Sequence, residues 1–154
     1  MLDTNVYCRL LDDFTIEAIK KEAKNAEIIL ELAQSNVIEI ITSEILLFEV
    51  NKIDEKEKRD FILLLIGSVE RERTATTEIT ESLIRELLEF TNNVADSNHL
   101  AIASTANCEY FLTCDQEILK RTTMIERFLF ERGYELNILN PVVFVKRIID
   151  RNEN

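Results

Sequence analysis

Residues 96–115 read DSNHLAIASTANCEYFLTCD. Asp96 opens a helical stretch, SNHLAIASTA, which feeds an extended run, YFLT at 110–113, and Asp115 follows two residues after Thr113. A helix delivering a short apolar strand is one unit of an α/β fold. Downstream, ILNP at 138–141 reads as a last strand before a terminal helix. Upstream, VIEII at 37–41 reads as a strand and EILLFEVNKI as the helix after it, with Thr42 and Ser43 placed to cap that helix.

The remaining segments alternate in the same way. A helix is predicted from about Thr15 to Gln34, with Ile16, Ile19, Ala23, Ala26, Leu30 and Ala33 on one face. DEKEKRDFILLLI, from Asp54, reads as another helix, acidic at its start as the helix dipole prefers, and Gly67 is placed to stop it. ERTAT reads as a short strand, and residues 78–92 as a helix with Ile79, Leu83, Leu87 and Phe90 at helical spacing behind a Thr76-Thr77 cap. Met1-Leu2 is extended at most. The repeated change of period implies an α/β fold with a mainly parallel sheet built from βαβ crossovers.

A chain of 154 residues, 46% of them hydrophobic, is long enough to bury a real core, and one domain over residues 1–154 is expected. Two glycines and one proline leave no flexible linker or low-complexity segment. No apolar run approaches the ~20 residues that span a bilayer, and MLDTNVYCRLLDD lacks the basic start and cleavage site of a signal peptide. A soluble, cytoplasmic protein with no membrane association is expected. Cys8, Cys108 and Cys114 have no CxxC spacing and read as reduced, buried thiols rather than a disulfide framework or zinc knuckle. The net charge of -11 counts against polyanion binding when taken alone.

Several chemistries are excluded by what is missing. Two glycines cannot build a P-loop or a GxGxxG turn, and there is no GxSxG elbow. The single histidine, His99, rules out HExxH and multi-histidine zinc sites, and is itself read as a packed helix residue. What remains is a set of acids at element ends: Asp3, Asp96 and Asp115. Ligands of α/β sheets bind beyond the carboxyl ends of strands, where helix N-termini also favour negative charge. An Asp at a helix start is also an ordinary cap, so each acid alone carries little weight.

Together with LDTN at 2–5 and SEILLFEV at 43–50, the segments DSNHLAIA at 96–103 and FLTCD at 111–115 resemble the PIN domain, and occur in that family's order. The resemblance runs from residue 2 to about 145, because NILNPVVFV is similar to the family's closing strand and helix. It implies a three-layer α/β/α fold around a mainly parallel central sheet. It also implies that Asp3, Glu49, Asp96 and Asp115 line one catalytic, metal-binding pocket. Relatives usually carry several apolar residues before LDTN, so the first strand is expected to be short here. Glu44 competes with Glu49 for the second carboxylate. Five helical steps separate their directions by well over 90°, so they cannot share a pocket; the family pattern selects Glu49, and the helix dipole accounts for Glu44. Asn5 and Thr113 are expected to support the site by hydrogen bonding.

Four clustered carboxylates would take up protons unless a hard cation compensates them, and oxygen ligands point to Mg²⁺ or Mn²⁺. The expected activity is therefore metal-dependent hydrolysis of phosphodiester bonds, an endoribonuclease acting on single-stranded RNA by family resemblance. Arg9, Lys120 and Arg121 are the nearest candidates for a basic rim. The family's toxin members raise the expectation of an antitoxin partner, and self-association as a homodimer is also expected. A haloacid-dehalogenase-like phosphatase would need a second Asp where this chain has Asn5. The standing alternative is a PIN-fold binding or regulatory module with little catalysis, suggested by the acidic surface.

Overall fold

Nine α-helices and four strands alternate in a computed structural model that describes residues 1–152. Residues 1–3 lead into α1 (Thr4–Cys8) and a 3₁₀ turn (Arg9–Leu11), followed by α2 (Glu17–Gln34), β1 (Ile40–Ser43), α3 (Glu44–Asn51), α4 (Lys56–Val69) and β2 (Glu70–Thr74). The second half runs α5 (Glu78–Thr91), α6 (Val94–Thr105), β3 (Tyr110–Leu112), α7 (Gln116–Lys120), α8 (Thr122–Glu131), β4 (Asn137–Leu139) and α9 (Pro141–Asn152). The predicted α/β character and parallel pairing are both present. Among the described residues, no helix is long and apolar enough to cross a membrane.

Hydrogen bonding divides the strands into two parallel ribbons, β1 with β2 and β3 with β4. The lead segment joins the second ribbon through one parallel bridge, Leu2 to Leu112, framed by Asp3 N–H to Leu112 O at 2.9 Å and Leu112 N–H to Met1 O at 3.0 Å. These bonds draw Asp3 to the carboxyl end of β3, beside Thr113.

Side chains on a strand alternate between faces, and here the two faces feed two different apolar clusters. Ile40, Leu112 and Leu139 pack with α2, α3, α4 and α9, whereas Ile41, Phe111 and Ile138 pack with α5, α6 and α8. Short strands bridging two helical cores thus fix both clusters relative to the lead segment.

The local differences from the expected elements have identifiable causes. Asn36 takes a left-handed turn (φ 56°) after α2, so Val37 and the residues that follow it are used in the connection, and β1 begins at Ile40. Thr42 belongs to that strand, its hydroxyl bonded to the Glu70 carboxylate, and Ser43 alone caps α3 by accepting the Leu46 N–H at 3.1 Å. Gly67 does not stop α4, which continues to Val69 because Val69 is buried in the core behind it. Ile16, which precedes α2, and Ile79 on α5 face solvent; Ile29, Thr80 and Thr91 take the buried positions instead.

Candidate metal centre

Asp3 is buried between the lead segment and the end of β3. Its Oδ2 accepts hydrogen bonds from Asn5 Nδ2 and Thr113 Oγ1, both at 2.6 Å. Asn5 donates a second time to Thr113 Oγ1 at 3.1 Å and accepts the Cys114 N–H at 2.8 Å through Oδ1. Thr113 Oγ1 also accepts the Asp115 N–H at 3.0 Å, so its one donor and two acceptor positions are all used. The two residues expected to support the site therefore hold α1 against the β3 turn and fix one carboxylate oxygen of Asp3.

Glu49 comes from the last turn of α3. Its Oε2 accepts from Thr4 Oγ1 and from His99 Nε2, the latter at 2.8 Å. Because a carboxylate only accepts, Nε2 carries the proton. Glu44, by contrast, is exposed in the first turn of α3, where the helix dipole favours it.

Asp3, Glu49 and His99 each present a ligand atom, and these atoms lie within 4.8 Å of one another. His99 is a packed helix residue as expected, only 2% exposed, and it also reaches the cluster through its bond to Glu49. It stands three residues after Asp96 on α6, one turn along the same face, which is the signal by which sequence reading could have included it.

Asp96 and Asp115 lie outside this tight trio but within its field. Asn93, not Asp96, caps α6, accepting the N–H groups of Ala95 and Asp96 at 2.8 and 3.3 Å. The Asp96 carboxylate is therefore not used as a cap. Asp115 does act as a cap, its Oδ1 accepting from Glu117 N–H at 2.7 Å and Ile118 N–H at 3.3 Å.

The acids do not titrate alike. Burial raises the Asp3 pKa, opposed by the His99 charge and the Thr113 bond. Half-burial and the negative charges of Asp115, Asp3 and Glu49 push Asp96 up to about 6. Burial would raise Glu49 too, but the His99 bond and charge, the Thr4 hydroxyl and Lys52 outweigh it and hold the carboxyl low. Burial would lower His99, yet its bond to Glu49 and the charges of Asp3, Glu49 and Asp96 raise it. A protonated ring would leave Nδ1–H buried, since that atom has no hydrogen-bond partner.

The three cations expected to form a basic rim are engaged elsewhere. Arg9 pairs with Glu22 at 2.6 Å and Asp12 at 2.7 Å, and Asn140 donates to the same Glu22 carboxylate at 2.7 Å. Lys120 pairs with Glu117 at 2.8 Å, and Arg121 donates to the Phe90 and Thr91 carbonyls at 3.0 and 2.9 Å. The three cysteines are free thiols; Cys108 and Cys114 are buried and Cys8 half-buried. Burial pushes the Cys114 thiol up to about 12, which removes it as a nucleophile.

The group of Asp3, Glu49 and His99 could hold a metal ion; Asp3 and Glu49 each have one oxygen engaged by fixed donors. No family model matches the chain, and no curated protein matches it either.

Proposed function

We propose that this chain is a ribonuclease of PIN-like, three-layer α/β/α fold that hydrolyses single-stranded RNA with Mg²⁺ or Mn²⁺. The observation that carries the reading is the convergence of Asp3 and Glu49, from two distant segments, on one acidic cluster with Asp96 and Asp115 in its field. The alternation of strand residues between two helical cores supports the three-layer arrangement.

Asp3, Glu49 and Asp96 would hold the cation, with Asp115 at the rim. When bound, a divalent cation supplies charge to a phosphodiester oxygen and acidifies water. The chain's own contribution is positioning. Asn5 and Thr113 fix Oδ2 of Asp3, while Thr4 and His99 fix Oε2 of Glu49, so both carboxylates are held in place before a cation arrives. Asp96, sharing its field with three other acids, takes up a proton more readily than an ordinary carboxylate when no cation is present.

The purified protein is expected to cut single-stranded RNA in Mn²⁺ or Mg²⁺ and to stop in EDTA. Asp3→Asn and Asp115→Asn should lower the rate by ~10² or more with the fold intact. Glu49→Gln should be similarly damaging and Glu44→Gln nearly silent; the reverse pattern would show that the second carboxylate has been misplaced.

A second reading is favoured by the engagement of Arg9, Lys120 and Arg121 in contacts within the chain, which takes the three expected rim cations away from RNA. On that reading the chain is a metal-holding binding or regulatory module, serving a protein partner such as an antitoxin or a second copy. A Mn²⁺-dependent rise in Tm without cleavage of varied RNAs selects it.

A further inference from the structure

Phe48 precedes Glu49 on α3, and the helix sends the two side chains in different directions: Glu49 toward the pocket, Phe48 outward with 59% of its surface exposed. One turn on, the Lys52 ammonium stands 4.0 Å from the centroid of the Phe48 ring. Lys52 is also close enough to Glu49 for its charge to help hold that carboxyl low. Unlike Arg9, Lys120 and Arg121, Lys52 has no carboxylate within ion-pair distance among the described residues.

An exposed cation–π contact is weak, and the entropy lost in ordering a lysine side chain opposes it, so the pair is not explained as a device of stability. Its components match what one nucleotide of a single strand offers. An aromatic face stacks a base of any identity, and an unpaired ammonium meets the adjoining phosphate. Bases already stacked and paired in a duplex cannot reach such a ring.

We propose that Phe48 and Lys52 form a nucleotide contact at the rim of the carboxylate pocket, Phe48 stacking an unpaired base and Lys52 pairing with a backbone phosphate next to the bond presented to the pocket. This rests on the ribonuclease reading and makes it specific: single-stranded substrate, little base preference, and a rim cation that sequence inspection did not single out.

The test is the affinity of the full chain for a fluorescein-labelled single-stranded RNA 10-mer, by anisotropy in Ca²⁺, alongside cleavage in Mn²⁺ and the Mn²⁺-dependent change in Tm. Phe48→Ala should weaken binding about tenfold, and Phe48→Tyr should restore it. Lys52→Gln should weaken binding several-fold and make the slope of log affinity against log salt shallower by about 0.7. Phe48→Ala should not change the Mn²⁺-dependent Tm shift, which a merely structural role in holding Glu49 would alter. If wild type cuts RNA while Phe48→Ala binds and cuts as well as wild type, the nucleotide contact is overturned and the nuclease reading stands. If wild type neither binds nor cuts RNA and the Mn²⁺ shift persists, both fall.

Discussion

At the scale of single residues, His99 decides how firmly the pocket is held. Its Nε2–H on Glu49 is one of two fixed donors to the same oxygen, the other being Thr4, and its ring lies 6.3 Å from Phe111 in the core. His99→Ala should therefore lower Mn²⁺ affinity about 10- to 100-fold, read by calorimetric titration, as loss of an orienting partner does at metal sites. Unchanged affinity would show that Thr4 alone suffices. Asp96 contributes a pH dependence. Its folded pKa, raised from 3.8 to about 6, means that the native state binds this proton more tightly than the unfolded chain, so without metal the folded protein loses stability as pH rises through that window. Two consequences are measurable. Mn²⁺ affinity should drop by up to about tenfold per unit below pH 6, because the cation must displace the proton. Asp96→Asn should raise the metal-free urea midpoint at pH 7, with a smaller gain at pH 5, while shrinking the Mn²⁺-dependent Tm shift. An Asp96→Asn protein less stable than wild type at pH 7 without metal would contradict the burial cost and repulsion on which this rests.

At the scale of elements, α4 offers a direct measurement. Gly67 lies inside the helix, exposed, and a Cβ added there meets no atom within 4 Å. Gly67→Ala should stabilise the protein by about 0.5–1 kcal/mol in urea unfolding, since it removes backbone entropy from the unfolded chain without strain; destabilisation would mean that α4 bends at this point in solution. Ser43→Ala should have the opposite effect, costing about 1 kcal/mol, because Ser43 is the side-chain cap of the helix that carries Glu49. Gly67 also shows what was legible in the sequence and what was not. Periodicity located α2 and α5 closely, because their apolar faces are long, whereas α6 was placed by Asp96 near its start. It misplaced the end of α4 because a glycine interrupts a helix only when tertiary contacts do not continue it, and burial of Val69 is a nonlocal fact. Asp3, Asn5 and Thr113 were legible as a group through their motifs, whereas the Thr4 and His99 bonds to Glu49 depend on where α1, α3 and α6 meet. No local pattern encodes that meeting.

At the scale of the whole molecule, order and parallel pairing of the strands followed from the alternation of helix and strand, but the division into two ribbons depends on how few bonds residues 1–3 make with their neighbours. Charge is the other global property. The chain has 18 Lys and Arg against 29 Asp and Glu, and cations across its surface lie within ion-pair reach of its own carboxylates, as in Arg71 with Glu39, Arg73 with Glu70, Arg127 with Glu131 and Arg132 with Glu86. Each such pair would have to open before its cation could replace a counterion on RNA, and an exposed pair is individually weak, about 0–1 kcal/mol. The general field of a protein with net charge -11 repels the phosphate backbone until it is screened, so opening these pairs gains little at a distance. Affinity for single-stranded RNA should therefore come from the rim contact and from the cation in the pocket, both local. Counterion release counts phosphates neutralised, at about 0.7 per phosphate on a single strand. With Lys52 and few other groups contributing, log affinity against log salt between about 50 and 200 mM should have a slope no steeper than about -2. A slope of about -4 or more would mean that the surface pairs open and that RNA is held over a wide basic face rather than at the edge of the carboxylate pocket.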